Sequence, residues 1–127
     1  MAQRGSHVDA FRRRVDAWLA ADLDAYMACW APAMVIELPS GTIEGRDRYR
    51  KLVAGGFAWA EPVSFAVHHL AWESDDVALA DWTIRARRRD DGALIEWRGL
   101  SVCRFEGDVI AWWREHHLAP PAPVDGQ

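Results

Sequence analysis

The sequence is poor in the residues that mark several large functional classes. Lysine occurs once, as Lys51, and the net charge is −4, with 15 basic residues against 19 acidic ones. That balance supplies no basic field to hold nucleic acid or an anionic membrane surface. The densest basic run, Arg85, Arg87, Arg88 and Arg89, is followed at once by Asp90 and Asp91, as at a solvated hairpin end. There are two cysteines, Cys29 and Cys103, without metal-site spacing, which fits buried thiols in a reducing compartment. No Gly-rich phosphate loop, serine nucleophile elbow or C-x-x-C motif is present, and no histidine pair has the spacing of a metal site. No metal and no cofactor are therefore expected. No apolar run approaches the length of a membrane span, and the opening MAQRGSHVDAF lacks the apolar core of a signal peptide, so a cytoplasmic location is expected.

What the sequence has in excess is tryptophan. There are 8 of them, beside 2 tyrosines and 4 phenylalanines, in a chain of 127 residues that is 50% hydrophobic. The length fits one domain with a real core. Tryptophan is large and amphipathic, and serves both cores and pockets for flat organic molecules.

The elements divide into helices and then strands. Phe11, Val15, Trp18 and Leu19 recur at helical spacing, with Arg12, Arg13 and Arg14 among them, and Ser6 is a candidate N-cap. Asp22 reads as the N-cap of a second helix carrying Leu23, Tyr26, Met27 and Trp30, stopped by Pro32. A strand over 34–38 closes at Pro39-Ser40-Gly41. A short helix over GRDRYRKLVA follows, with Gly55-Gly56 as its C-terminal cap. Four strands then occupy 63–73, 77–87, 93–105 and 109–118, separated by polar turns. The domain is expected to span 1–118, and 119–127, rich in proline, to be a flexible tail. This order predicts an α+β fold: a cone-shaped, strongly curved antiparallel sheet wrapped around the N-terminal helices, with a ligand cavity at its open end.

Strand alternation sorts the faces. On the second long strand Trp82 and Ile84 belong to the apolar, concave side. On the third, Trp97, Gly99, Ser101, Cys103 and Phe105 share one face. Leu100 and Val102 lie on the other, the convex face on which a second copy of the chain is expected to sit. On the last strand Trp113, Glu115 and His117 alternate with Trp112, Arg114 and His116, and alternation alone allows either set to face inward.

The stretch AWLAADLDAYMACWAPAMVIELPSGTIEGRD, the four-strand meander after it and the closing W-R-E resemble the nuclear transport factor 2-like superfamily in its SnoaL-like branch. The resemblance runs from about Phe11 to Leu118. It implies the α+β barrel of that superfamily and a hydrophobic pocket, and a homodimer through the convex sheet face is expected. Fold likeness does not assign chemistry, because the same scaffold hosts isomerases, epoxide hydrolases, dehydratases, polyketide cyclases and plain binding modules. The steroid isomerases' catalytic aspartate, oxyanion tyrosine and protonated aspartate fall on Leu38, Arg14 and about Ser101. In limonene epoxide hydrolases the last-strand W-R-D resembles Trp113-Arg114-Glu115, while their arginine and first aspartate fall on Trp82 and Ile84. Neither catalytic set is carried over whole. His68 and His69 do not match the register of the dehydratases' paired histidines.

The W-R-E resemblance places Trp113, Glu115 and His117 inward. An apolar, Trp-lined cavity disfavours the ionised form of a carboxyl placed in it, which suits a general acid or base. Glu115 is thus the candidate acid–base group, with His117 or Glu37 assisting. Tyr26, Trp82, Trp97, Ser101 and Trp113 are candidate substrate contacts. The expected activity is cofactor-free proton transfer, of the cyclase, isomerase or hydratase kind, on an apolar cyclic metabolite. The alternatives are a non-catalytic binder of a hydrophobic molecule and a dimerisation module. An open cavity with an isolated carboxylate favours the enzyme; a carboxylate clamped by arginine, or a closed core, favours the others.

Overall fold

The structure, a computed structural model, describes residues 2–119 and 121–124. Three helices come early: α1 (Ala2–Leu19), α2 (Leu23–Met27) and α3 (Arg46–Trp59). Around them lie β1 (Trp30–Leu38), β2 (Gly41–Glu44), β3 (Ala60–Trp72), β4 (Val77–Arg88), β5 (Leu94–Glu106), β6 (Val109–His117) and β7 (Ala122–Pro123). They form one curved, unclosed sheet in the order β2-β1-β6-β5-β4-β3, with β7 pairing β5. The expected α+β class and wrapped sheet are observed.

Several local expectations are corrected. The sheet is not wholly antiparallel, because β1 runs parallel to β6. Trp30 begins β1 rather than ending α2, and Asp22 caps α2 by accepting from the Ala25 N–H. Ser6 lies inside α1 and not at its N-cap. Gly55 and Gly56 do not terminate α3; the helix continues through them to Trp59. Each glycine costs a helix interior about 1 kcal/mol. The aromatic contacts beyond them offset this: Phe57 packs edge-on against Tyr26 at 6.5 Å, and Trp59 against Trp97 at 5.9 Å. In the stretch expected to be a flexible tail, Ala122 and Pro123 pair with Glu96 and Ile95. The Arg85–Arg89 run does form a hairpin end, where Arg88 pairs with Asp91 at 2.6 Å.

The core lies between α1 and the concave face. His7, Ala10, Phe11, Arg14 and Ala17 form the buried stripe of α1, and Trp30, Met34, Ile36, Cys103, Phe105, Ile110 and Trp113 meet it from the sheet. Register shifts between Pro62/Ser64 and Val67/His69 in β3, and between Arg104/Phe105 in β5, bend the strands around the helices. On the convex side Leu79 and Leu100 are 44% and 47% exposed. Among the described residues, no helix is long and apolar enough to cross a membrane.

Both cysteines are free and buried. Burial pushes the Cys103 thiol up to about 12, and burial likewise raises that of Cys29. Thiolate is the reactive form, so neither should react with a disulfide reagent such as DTNB at pH 8 in the folded protein. Both should react once the chain is unfolded; fast native labelling of either would contradict the packing.

Candidate functional site

At one end of the concave face the helices stand away from the sheet and leave an open cavity of about 730 Å³. Arg14 and Trp18 of α1, Tyr26 of α2, and Tyr49, Val53, Phe57 and Trp59 of α3 line one side. Leu38, Phe65, Ile84, Trp97, Glu115 and His117 line the sheet side, with Pro121 beside them. The walls are mostly apolar, with a few polar groups, as small-molecule sites commonly are.

Glu115 and His117 both face this cavity, on the same side of β6 as the fully buried Trp113. The glutamate is held at both oxygens. The Trp113 indole N–H donates to Oε1 at 3.1 Å, and His117 Nε2 lies 2.7 Å from Oε2. With Glu115 ionised, His117 carries its proton on Nε2 and donates it. The side chains are 15% and 19% exposed, so the pair sits partway down the cavity rather than at its rim. Among the described residues no arginine pairs with Glu115.

Behind this pair is a supporting layer. Ser101 lies opposite Glu115 in the β5–β6 pairing, and its hydroxyl accepts from the Trp82 indole N–H at 2.8 Å. The Trp82 ring meets that of His117 edge-on at 6.1 Å. Gly99 lies between them, opposite Trp82 on β4 and His117 on β6. A Cβ there would sit 2.5 Å from the Trp82 ring and 2.8 Å from the His116 carbonyl oxygen. Trp82 cannot yield freely, because Ser101 and the Phe65 ring hold it. Gly99→Ala should therefore destabilise the fold by about 1–3 kcal/mol in urea denaturation. An unchanged midpoint would mean that Trp82 is not wedged there.

The inner end is rich in donors. The hydroxyls of Tyr26 and Tyr49 are hydrogen-bonded at 2.8 Å, and both rings are almost fully buried. Burial pushes the Tyr49 phenol well above its ordinary pKa, with Tyr26 beside it acting in the same direction. Arg14 is 7% exposed, and its guanidinium lies 4.1 Å above the Trp113 ring, with Tyr26 and Phe65 each at 5.6 Å. Burial opposes its charge, but the groups around it, Tyr26 and Tyr49 first and then Glu115, outweigh that and leave its pKa above the ordinary arginine value.

The expected site residues thus divide. Glu115, His117, Tyr26 and Trp97 line one cavity. Trp82, Ser101 and Trp113 face inward but are not among the lining residues; Trp82 donates to Ser101, and Trp113 to Glu115. Glu37 points away from the cavity; it accepts from the Trp112 indole at 2.7 Å and pairs with Arg114 at 3.2 Å. Those contacts, Trp112 first, lower the Glu37 carboxyl below its ordinary value. His68 and His69 lie outside as well, bonded to Thr83 and Asp81. Arg14 and Tyr49 are site residues that were not expected. Arg14 is three residues after Phe11 and four before Trp18, and so belongs to the buried stripe. Tyr49, Val53 and Phe57 repeat every fourth residue along α3. Among the described residues no cluster of three histidine, cysteine, aspartate or glutamate side chains is placed to hold a metal.

Comparison with known proteins agrees with this architecture. The same fold recurs in a presumed isomerase of Bacillus subtilis, 16% identical, with a TM-score of 0.82 over 92% of this chain and 89% of that one. An LEH-like epoxide hydrolase of M. tuberculosis is 16% identical, with a TM-score of 0.77 over 89% and 83% of the two chains. The Δ5-3-ketosteroid isomerase of a Mycobacterium species is 12% identical, with a TM-score of 0.77 over 87% and 92%. At such identities the likeness is one of fold alone. Among curated protein sequences none matches this chain. The SnoaL-like domain model matches residues 11–113, and the chain belongs to the SnoaL-like domain family.

Proposed function

We propose that this protein is an acid–base enzyme of the cyclase, isomerase or hydratase kind, acting on an apolar cyclic metabolite without a cofactor. One observation carries the reading: a carboxylate bonded to a histidine, at 2.7 Å, faces a mostly apolar cavity of about 730 Å³. Proton transfer beside a carbonyl needs only a positioned base and a group that accommodates the developing oxygen charge. The Glu115–His117 pair takes the proton from carbon, and the O–H left free in the Tyr26–Tyr49 pair faces the oxygen that gains charge. Return of the same proton to another carbon completes an isomerisation; addition of the enolate carbon to a second carbonyl, whose oxygen takes that proton back from the pair, completes a cyclisation. Neither requires a further reactant.

The test is deuterium incorporation from D2O into cyclic ketones and aromatic β-dicarbonyl compounds, followed by mass spectrometry. The wild type should exchange at least one of these well above the buffer rate, and Glu115→Gln should not. Exchange that is equal in both proteins, or absent across the panel, rejects the enzyme in favour of a binding protein with the same cavity.

A further inference from the structure

Arg14 is the polar group that the proton-transfer pair leaves unexplained. It sits at the inner end of the cavity, 7% exposed, and neither Nε nor Nη1 has a hydrogen-bond partner. Among the described residues no carboxylate forms an ion pair with it. The nearby Glu115 has each oxygen engaged, by Trp113 and by His117. Aromatic faces surround the guanidinium, the nearest being Trp113 at 4.1 Å. Such faces favour a cation but accept none of its N–H bonds. A buried charge with open donors is costly unless something else completes it.

From this geometry we infer that the cavity takes a ligand with an anionic group, a carboxylate on an apolar ring system, whose carboxylate is seated on Arg14. The inference rests on reading the cavity as a ligand site, and it adds the class of ligand. The planar N–H edges of a guanidinium match the two oxygens of a carboxylate. The charges lining the cavity agree: Arg14 and Lys51 are cationic, Glu115 is the one acidic side chain among the lining residues, and its histidine partner stands beside it. Val53, Phe65, Ile84 and Trp97 line the same cavity as Arg14, which suits an apolar body.

The experiment compares 2-naphthoate with its neutral counterpart 2-naphthamide, titrated into the whole protein and followed by tryptophan fluorescence and calorimetry. The wild type should bind the carboxylate at least about tenfold more tightly, the effect of one charge-assisted hydrogen bond. Arg14→Met keeps the length of the side chain and removes its charge, so the preference should vanish. Its Tm should hold or rise, since an unpaired buried charge has gone. Arg14→Lys keeps the charge without the planar edge and should retain part of the preference. Equal affinity of the wild type for the two probes, binding of neither, or a preference that survives Arg14→Met overturns the inference. The assay needs no turnover. A carboxylate preference in a protein that fails the deuterium test keeps the anionic ligand and rejects only the enzyme.

Discussion

Glu115→Gln should lower kcat by about 10²- to 10⁴-fold, the range that a positioned acid or base contributes. Glutamine preserves the shape of the side chain, and its carbonyl can still accept from the Trp113 indole N–H, which bonds Glu115 Oε1 at 3.1 Å. What it loses is the capacity to hold a proton and to stabilise charge on His117, 2.7 Å away. The walls that bind the apolar body are untouched, so KM should change by no more than a few-fold. A fall in kcat with KM preserved is the signature of an interaction used in the transition state. Alanine would be a poorer test, because Trp113 is fully buried and its N–H would lose its acceptor. That orphaned donor alone costs about 1–3 kcal/mol. Retention of more than about a third of the activity in Glu115→Gln would show that the pair does not carry the reaction.

The largest effect on stability should come from His7, far from the cavity. Its ring is fully buried and stacks on Phe105 at 5.1 Å. Nδ1 donates to the Gly107 carbonyl at 2.6 Å, and Nε2 meets the Asp76 carboxyl at 2.9 Å. One side chain of α1 thereby holds the β3–β4 and β5–β6 turns together. Beside it the Phe105 N–H donates to the Asp76 carbonyl at 2.9 Å, and Arg13 to the Asp108 carbonyl at 3.0 Å. His7→Ala removes both ring hydrogen bonds, leaves a cavity under Phe105 and should cost about 3–4 kcal/mol in urea or thermal unfolding. That is a large share of the roughly 5–15 kcal/mol typical of a domain. Arg12→Ala, on the exposed side of the same helix, should stay within about 0.5 kcal/mol. Equal effects at the two positions would contradict the account of how α1 docks.

The strand faces were legible because alternation holds along most of β4, along β5 from Arg98 and along β6 from Trp112. Trp82, Ile84, Trp97, Cys103 and Phe105 lie inward as their pattern requires, and the W-R-E resemblance chose the phase of the last strand that puts Trp113 at 0% exposure. Depth along a face was not legible. The cavity occupies only the end where Ile84 pairs with Trp97 and where Glu115 and His117 emerge. Farther along the same face Phe11 stacks on Trp113, so α1 fills the space. Trp82, Ser101 and Trp113 therefore face the right way and still touch no cavity. Glu37 is next to Leu38, a lining residue, yet alternation turns it to the other side of β1. Arg14 was hidden by Arg12 and Arg13, which make the run look like a polar face although its spacing belongs to the apolar one. The parallel pairing of β1 with β6 joins segments distant in the chain, and nothing in either segment alone encodes it.

The central claim is that Glu115 and His117 form one proton-holding unit facing the cavity. Nitrogen NMR of the protein labelled with ¹⁵N-histidine, titrated with a cyclic ketone and repeated in Glu115→Gln, tests it most directly. The expected result is a His117 ring protonated at Nε2, with its signals moving as ligand binds and the Nε2 signal changing when Glu115 is replaced. A His117 ring protonated at Nδ1 alone, or signals indifferent to both the ligand and the substitution, would contradict it.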